Sequence, residues 1–319
     1  MRCGHVCVSV IIPCYNSAAT VTCAIDSVSD QTFTDWEIVA INDGSTDNTK
    51  AILESYAQKS IQKIRVFSQP NQGQTVAKNI GIKNSKGKFI AFLDSDDVWA
   101  PEKLQEQVAA MESNPSLGLC YTSAYKINSL GFKTGRITPS TLYRGNCFRN
   151  LVLRNNIVAS SVMIRRDLLG RVGLFDESLE ACENWDLWIR ISRISPIEYI
   201  DKPLTSYRVH GGNMSKNIER MRSFRLKVIN KNLPFENASP DTLKLRKKAL
   251  FFVHMTFAKS YLENLAFKEA RGELIQAARL QPAEIGTYKL YLKAILGKRL
   301  TRLFRRIKNF RKSVSPLSS

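Results

Sequence analysis

The first hundred residues alternate between short apolar runs and longer segments with helical periodicity. The runs are four to six residues long, as buried strands are, and the segments repeat apolar positions every three or four residues. Strand, helix and strand in repetition predict a parallel sheet with helices on both faces. The predicted strands are Val8–Ile12, Glu37–Ile41, Ile64–Phe67 and Lys88–Leu93, and the predicted helices are Ala18–Ser29, Thr49–Gln58 and Thr75–Asn84.

A polar cluster follows each of the four predicted strands. Each cluster alone could be a turn, because Gly, Pro, Asn and Asp favour turns. Open parallel sheets, however, bind ligands beyond the carboxyl ends of their strands, so four clusters in this position predict a ligand site at one sheet edge. The clusters are Pro13–Asn16, Asn42–Asp47, Gln69–Gly73 and Asp94–Asp97.

The run Asp94–Asp97 holds three carboxylates directly behind the apolar run Phe89–Leu93. Negative charge concentrated at the end of a buried strand is costly unless a cation or a proton compensates it, which predicts a divalent metal. A calcium-binding EF-hand loop would need Gly and Glu where the chain has Trp99 and Gln105. The first strand also lacks a following G-x-G-x-x-G, which argues against a classical dinucleotide site.

Several motifs, in their order and spacing, resemble those of family 2 glycosyltransferases of the GT-A fold. They are Val10–Asn16, Asn42–Asp47, Asn71–Gly73 with Ala77–Asn79, and Phe92–Asp97. The resemblance covers residues 6–220 and implies an α/β fold with a GT-A type nucleotide-binding sheet and flanking helices. It also implies inverting transfer of a sugar from a nucleotide diphosphate donor, with a UDP-sugar expected. The expected acceptor is a glycan or a lipid-linked glycan, as in cell wall or polysaccharide biosynthesis.

The resemblance assigns Pro13, Tyr15 and Asp43 to the nucleotide base. Pro13 and Tyr15 shape and cover the base pocket, and Asp43 accepts a hydrogen bond from a uracil N–H. Lys78 stands where the family commonly has Arg and is expected to donate to the nucleotide without a bidentate fork. An ordinary exposed helix lysine is the alternative interpretation of Lys78.

The resemblance assigns the acidic run to the ribose and the metal. Asp94 and Ser95 belong to the nucleotide-sugar site, with Asp94 on the ribose side. Asp96 binds the metal, Mn²⁺ or Mg²⁺, which bridges the two phosphates and neutralises the leaving group. Asp97 is interpreted as a structural residue or a support of the metal ligand.

A late loop resembles the family segment that folds over the diphosphate. Arg208 is expected to neutralise phosphate oxygens through its fork, and His210 to complete the metal shell. Ser215 is expected to donate to a phosphate. His210 lies beside Arg208 and two glycines, which favours a site residue over a stray core histidine.

The segment around Glu183 resembles the acid-rich catalytic motif, in which Glu-Asp precedes an aromatic residue and Asp-Leu-Trp. The acceptor hydroxyl must lose a proton as it attacks the anomeric carbon, so a carboxylate is needed as general base. Asn184 replaces the usual Asp, and an amide cannot accept a proton at neutral pH. Glu183 is therefore the first candidate for the base and Asp186 the second. Alternatively, the two are a helix N-terminal carboxylate and a surface residue.

Trp185 and Trp188, in the same segment, have two interpretations. They either stack on a sugar or belong to a packed helix face.

Beyond residue 220, Pro and Gly become rare and helical periodicity dominates. This predicts a catalytic domain over residues 1–220 and a helical region over 221–319. Ala258–Pro282 is similar to one tetratricopeptide-type helical hairpin, interpreted as a cap on the catalytic domain in preference to a protein-interaction unit. Apolar residues recur at helical spacing from Tyr288 to Phe310 with basic residues among them, and no acidic residue lies between Lys298 and Lys312. This pattern predicts a basic amphipathic helix suited to an anionic membrane surface. A solvated basic tail is the alternative.

Composition indicates the class of binding partner and the redox state of the cysteines. The 319 residues are 44% hydrophobic, enough for a proper core, and 47 basic against 28 acidic residues give a net charge of +19. An anionic partner is expected, but no nucleic acid, because no basic-aromatic sheet motif accompanies the charge. Seven cysteines without a CxxC pair indicate reduced thiols.

The sequence also indicates a cellular location and leaves one main alternative function. No apolar run approaches the roughly 20 residues that span a bilayer, and the N-terminal run is interpreted as a strand and not as a secretory signal. The expected location is the cytoplasm, with peripheral association at the inner membrane face. The rival function is a nucleotide-sugar-binding or scaffold protein that acts through its helical C-terminal region.

Overall fold

The computed structural model describes residues 6–60, 63–137, 142–210 and 217–297. The chain divides into two compact units, residues 1–216 and 217–319. The predicted phosphate contact Ser215 and the part of the predicted basic helix after residue 297 lie outside the described residues.

The N-terminal unit is built on one mixed sheet, in the order β3-β2-β1-β4-β8-β6-β9-β5, with β7 paired to β6. β1 runs parallel to β2 and β4, and β2 runs parallel to β3, so the predicted parallel sheet is confirmed. β8 enters antiparallel between β4 and β6. The strands are β1 Val8–Cys14, β2 Trp36–Asp43, β3 Ile64–Gln69, β4 Phe89–Phe92, β5 Val98–Trp99, β6 Leu119–Ile127, β7 Lys133–Ile137, β8 Val162–Arg165 and β9 Ile197–Arg208.

The helices of this unit follow the strands, as the periodicity predicts. The first helix begins three residues later than predicted, because the amides of Thr20 and Val21 both donate to the Ser17 carbonyl in a turn before it. The helices are α1 Val21–Ser29, α2 Thr49–Lys59, α3 Gln74–Asn84, α4 Lys103–Ser113, α5 Phe148–Leu151, α6 Leu169–Val172 and α7 Glu183–Ile194.

The core lies around the central parallel strands. Every residue of β1, β2 and β4 is buried, which is the pattern of strands covered on both faces. Gly81 of α3 packs so closely on β1 that a Cβ there would lie 2.5 Å from Ile11 Cγ2. The carboxyl ends of the same strands are the points where polar side chains begin.

The C-terminal unit is helical, as predicted. It contains α8 Ile218–Asn232, α9 Pro240–Glu263 and α10 Phe267–Leu280, and residues 285–297 are also helical. Ser239 caps α9 by accepting from the Thr242 amide at 3.2 Å. Buried Glu273 accepts from Arg222 at 2.7 Å and pairs with His254 at 2.8 Å.

The described residues contain neither a membrane-spanning helix nor a disulfide. None of the helices among them combines the length and the apolar character that a bilayer crossing requires. The six cysteines among them are free thiols.

Candidate active site

The acidic run leaves the buried end of β4 in a tight turn. The Asp97 amide donates to the Asp94 carbonyl at 3.0 Å, and the side chains of Asp94 and Asp96 stay 31% and 27% exposed. Ser95 shares a hydrogen bond with Ser17, from the loop after β1, at 2.7 Å. Two carboxylates of the run therefore point toward the accessible sheet edge.

Asp97 points into the protein instead. It is fully buried, where its carboxylate accepts from Ser160 Oγ at 2.6 Å and from the Arg208 amide at 2.8 Å. Burial and the carboxylates of Asp94 and Asp96 hold the pKa of Asp97 well above its ordinary value. Asp97 thus ties the acidic turn to β9 and to the short helical turn Ala159–Ser161 that precedes β8, in line with a structural role.

Asp96 and His210 converge from the acidic run and from the end of β9. Their Oδ2 and Nε2 atoms are 2.9 Å apart, and both side chains are partly exposed. A carboxylate oxygen and an imidazole nitrogen suit Mn²⁺ or Mg²⁺. No group of three metal-binding side chains occurs among the described residues. Two protein ligands nevertheless fit a cation that substrate phosphates and water also coordinate.

Arg208 donates hydrogen bonds to backbone carbonyls next to Asp96 and His210. Its Nε donates to the Asp96 carbonyl at 2.7 Å, and its Nη1 donates to the carbonyls of Asn128 and Ser129 at 3.1 and 3.0 Å. The residue is 6% exposed. The structure therefore brings Arg208 beside the expected metal ligands, while its contact with phosphate oxygens stays a prediction.

The candidate base pocket lies at the ends of β1 and β2. Pro13 is buried in β1 opposite Ile41, and Tyr15, just beyond the strand, is 50% exposed. Asp43 ends β2 and accepts from Gln69 Nε2 at 2.6 Å and from the Gly73 amide at 2.9 Å. The Gln72 amide also donates to Asp43, at 2.9 Å, so three donors share the carboxylate. A carboxylate has about four lone-pair positions, which leaves about one, on Oδ2, for a uracil N–H.

Lys78 is fully buried under the acidic turn. Its Nζ donates to Glu183 Oε1 at 2.9 Å and to Asn184 Oδ1 at 3.2 Å, and Asp94 Oδ1 is 4.0 Å away. Desolvation opposes the charge, but Glu183 and Asp94 outweigh it and raise the pKa of Lys78. The interpretation as an exposed helix lysine is wrong, and its contact with a nucleotide stays a prediction.

Glu183 opens α7 next to this ammonium. Glu183 is 1% exposed, and its Oε1 also accepts from Asn184 Nδ2 at 2.8 Å. Although its side chain is 31% exposed, partial desolvation raises the pKa of Asp94, with Lys78 opposing and Asp96 and Glu183 adding to the rise. Asp94, at the end of β4, and Glu183, at the start of α7, thus both lie within 4.0 Å of the one buried Lys78 ammonium.

Asp186 has a different environment on the same helix. It is fully buried and accepts from Arg190 Nε at 2.9 Å, and Arg190 also donates to the Leu174 carbonyl at 2.8 Å. Asp186 is therefore no surface residue, and its ion pair with Arg190 anchors the segment before α7. Its role as second candidate for the base stays a prediction.

The two tryptophans of α7 belong to the core. Trp188 is fully buried, with its ring 5.7 Å from Phe92 and 6.2 Å from Phe175, and Trp185 donates to the Leu151 carbonyl at 2.8 Å. The sugar-stacking interpretation is wrong for both, because neither ring reaches solvent.

Ser160 is a site residue that the sequence interpretation missed. Its hydroxyl accepts from the Asp94 amide at 3.1 Å and donates to Asp97, and its carbonyl accepts from Trp99 Nε1 at 2.7 Å. A serine 66 positions from its partner carries no local signal. Asn79, in the motif Ala77–Asn79, also has a structural role, because its side chain fixes the segment before α7 through hydrogen bonds to Phe175 and Glu177.

Comparisons with known proteins agree with the sequence resemblance. Residues 9–173 match the model of the family described as Glycosyl transferase family 2. An uncharacterized glycosyltransferase of Rickettsia felis is 40% identical over 205 residues, 64% of this chain and 33% of that protein. Another, from Rickettsia typhi, is 30% identical over 83% of this chain and 85% of that protein. The chain thus spans about a third of the first relative's length and most of the second's.

A relative with a more specific name comes from Escherichia coli. UDP-Glc:alpha-D-GlcNAc-diphosphoundecaprenol beta-1,3-glucosyltransferase WfgD is 29% identical over 212 residues, 66% of this chain and 80% of that protein. Its name describes a UDP-sugar donor and a lipid-linked acceptor for that enzyme.

Solved structures share the fold. S. aureus TarS 1-349 in complex with UDP-GlcNAc is 19% identical, with a TM-score of 0.66 over 92% of each chain. Mannosyltransferase PcManGT from Pyrobaculum calidifontis, in complex with GDP-Man and Mn²⁺, is 18% identical, with a TM-score of 0.60 over 91% of this chain and 79% of that chain. The predicted α/β fold of GT-A type, followed by a helical C-terminal region, is confirmed.

Proposed function

Because the chain belongs to glycosyl transferase family 2, we propose that it moves a sugar from a UDP-sugar to a glycan or lipid-linked acceptor with inversion. The observation that carries the proposal is the buried Lys78, which joins Glu183 at 2.9 Å to Asp94 at 4.0 Å. This contact couples the acidic turn of the donor side to the helix that would serve the acceptor.

In the proposed reaction, Glu183 is the general base. The acceptor hydroxyl attacks the anomeric carbon, its proton passes to the Glu183 carboxylate, and the bond to the nucleotide diphosphate breaks. Lys78 and Asn184 both donate to Oε1, so we assign Oε2 as the oxygen that takes the proton. Asn184, which stands in place of the family's usual Asp, would act as a positioning residue, because its amide donates to the Glu183 carboxylate and orients it.

On the donor side, the remaining residues bind and orient. Asp43, with Pro13 and Tyr15, would hold the uracil, and Asp94 with Ser95 would face the ribose. Asp96 and His210 would hold Mn²⁺ or Mg²⁺, which when bound neutralises charge on the departing diphosphate. Their 2.9 Å approach supports this assignment.

For the acceptor, we propose a lipid-linked glycan at the inner membrane face, in cell wall or polysaccharide biosynthesis. The E. coli relative, whose name gives a diphosphoundecaprenol acceptor, supports a lipid-linked substrate. The basic tail over residues 298–319 would hold the protein peripherally at an anionic bilayer. No nucleic acid is required for this activity.

The first experiment measures UDP release and sugar transfer over a panel of UDP-sugars and lipid-linked acceptors, with Mn²⁺ or Mg²⁺. We expect metal-dependent turnover in the wild type, abolished in Asp96→Ala. Glu183→Gln should lower the rate of transfer by about 10²–10⁴-fold without weakening UDP-sugar binding. Glu112→Gln, which changes an exposed glutamate paired with Lys88, is the surface control and should transfer normally. Glu183→Gln is assayed where its urea curve shows it folded, because Glu183 is also the buried partner of Lys78.

Three results would contradict parts of the proposed function. Full transfer by Glu183→Gln would place the base elsewhere. Metal-dependent turnover by Asp96→Ala would contradict the metal assignment. UDP-sugar binding without any release above the water background would instead favour the nucleotide-sugar-binding or scaffold function.

A further inference from the structure

The hairpin between β6 and β7 presents an apolar tip to solvent. Residues 128–132 connect the two strands, and within them Leu130 is 78% exposed and Phe132 is 67% exposed. Two large apolar side chains two positions apart on one projecting turn form a small exposed patch. Such patches, when surrounded by polar groups, are typical of surfaces that meet a protein or a membrane.

The exposure of this tip is built into the turn. Asn128 Oδ1 accepts from the amides of Leu130 and Phe132, each at 3.0 Å, and the Asn128 amide donates to the Phe132 carbonyl at 3.0 Å. Gly131 has φ +89°, which a residue with a Cβ rarely adopts. The backbone therefore holds the two apolar side chains outward.

The surroundings of the tip are cationic. Between Ser113 and Arg166 the sequence contains seven Lys or Arg and no Asp or Glu. Lys126 and Lys133, on either side of the turn, are exposed, and Lys133 Nζ lies 4.1 Å from the Tyr125 ring centroid. An apolar tip between cations complements a surface that offers both hydrocarbon and negative headgroups.

The tip is also tied to the candidate active site. Arg208 Nη1 donates to the carbonyls of Asn128 and Ser129, and Arg208 Nε donates to the carbonyl of Asp96. One side chain thus connects the hairpin turn to the acidic run. Whatever the tip contacts will lie close to the donor site.

We propose that this hairpin tip inserts into the surface of an anionic lipid bilayer. Leu130 and Phe132 enter the boundary between headgroups and acyl chains, and Lys126 and Lys133 contact the anionic headgroups. The inference rests on the hairpin residues and not on the transfer reaction. For the proposed function, it identifies the surface that brings the donor site to a lipid-linked acceptor.

The test uses Phe132→Trp in the full chain with vesicles of phosphatidylglycerol or of phosphatidylcholine. The four native tryptophans are all buried, so the introduced indole is the one that reports solvent or lipid contact. We expect a blue shift of its emission, and quenching by brominated acyl chains, with phosphatidylglycerol vesicles. Phosphatidylcholine vesicles should give at most about a tenth of the apparent affinity.

A matched control distinguishes the hairpin from any other surface that brings the protein to the bilayer. Phe235→Trp changes an exposed phenylalanine of the C-terminal unit that lies next to Glu236, and its indole should not respond. In the chain with native tryptophans, Leu130→Ser with Phe132→Ser should weaken binding to phosphatidylglycerol vesicles by about tenfold or more.

Three results would overturn the inference. The first is vesicle binding without a shift of the indole introduced at position 132. The second is an equal response to neutral and anionic vesicles, and the third is an indole that responds only to a lipid-linked glycan added without a bilayer. Loss of sugar transfer with normal vesicle binding would contradict the proposed function and leave the hairpin assignment intact.

Discussion

At the scale of single residues, Lys78 decides how the candidate site is held together. A fully buried ammonium is stable only where opposite charges replace its lost hydration, and Glu183 with Asp94 supply them. Removing one partner of such a pair leaves the other charge buried without compensation. Unfolding free energies measured without a nucleotide therefore report the contribution of Lys78 to stability, apart from any role in nucleotide binding.

We expect a double-mutant cycle of Lys78→Met and Glu183→Gln to show strong coupling in unfolding free energy. Lys78→Met alone should cost about 3–5 kcal/mol, because the Glu183 carboxylate stays buried without its cation. The double variant should recover about 2 kcal/mol or more of the summed losses. Tryptophan fluorescence in urea is the measurement, since all four tryptophans lie in the N-terminal unit.

The control cycle uses an ion pair of similar length at the surface. Lys88 and Glu112 are 2.7 Å apart, with side chains 51% and 47% exposed. Lys88→Met with Glu112→Gln should couple by less than about 1 kcal/mol, because water screens the charges. Equal coupling in the two cycles would mean that burial does not strengthen the Lys78 pair.

At the scale of elements, the contact between α3 and β1 depends on the absence of a side chain at Gly81. A Cβ there would lie 2.5 Å from the Cγ2 atom of Ile11, a β-branched residue that is fully buried in β1. Ile11 cannot move aside without disturbing the sheet. α3 also carries Lys78, so this contact sets the depth of the ammonium under the acidic turn.

Gly81→Ala is expected to lower the unfolding free energy by about 1–3 kcal/mol, despite the higher helix propensity of alanine. Gly272 in α10 is the matched helical control, because no atom lies within 4 Å of the position that its Cβ would take. Gly272→Ala should raise the stability of its helix by about 0.5–1 kcal/mol. Circular dichroism in urea would report both changes, and the same sign for both would contradict the packing argument.

The elements also show where sequence information is sufficient. β1 to β4 and the helices between them follow from local periodicity, and the polar clusters at their ends follow from the geometry of parallel sheets. β8 pairs antiparallel with β4 across more than sixty residues of chain, and Ser160 binds the acidic turn over the same distance. Neither has a local pattern, because pairing partners are chosen by tertiary packing.

The acceptor side shows the same limit for side chains. Glu183 and Asn184 were identified from a motif, yet their link to Lys78 joins α7 to α3 across 105 and 106 positions. Trp185 and Trp188 have the spacing of one helix face, and this spacing is the same for a face that contacts a ligand and a face that packs in the core. Burial among Phe92, Phe175 and Leu151 decides in favour of the core.

At the scale of the whole molecule, the positive charge is unevenly distributed along the chain. Residues 217–319 contain 23 Lys or Arg and 7 Asp or Glu, a difference of 16, whereas residues 1–216 contain 24 and 21, a difference of 3. Eight of the basic residues lie between Lys298 and Ser319, a segment with no acidic residue. Attraction of the chain to an anionic surface should therefore depend strongly on this tail.

We expect the full chain with these eight tail residues changed to Gln to bind phosphatidylglycerol vesicles at least about a hundredfold more weakly. Each Lys or Arg near an anionic surface contributes up to about 1 kcal/mol, and the net charge would fall from +19 to +11. Vesicle co-sedimentation over a range of salt concentrations is the measurement. Binding of the wild type should also weaken with salt, because ions screen the attraction. Tighter wild-type binding to RNA than to vesicles at the same salt concentration would contradict the membrane as the partner of this charge and favour nucleic acid.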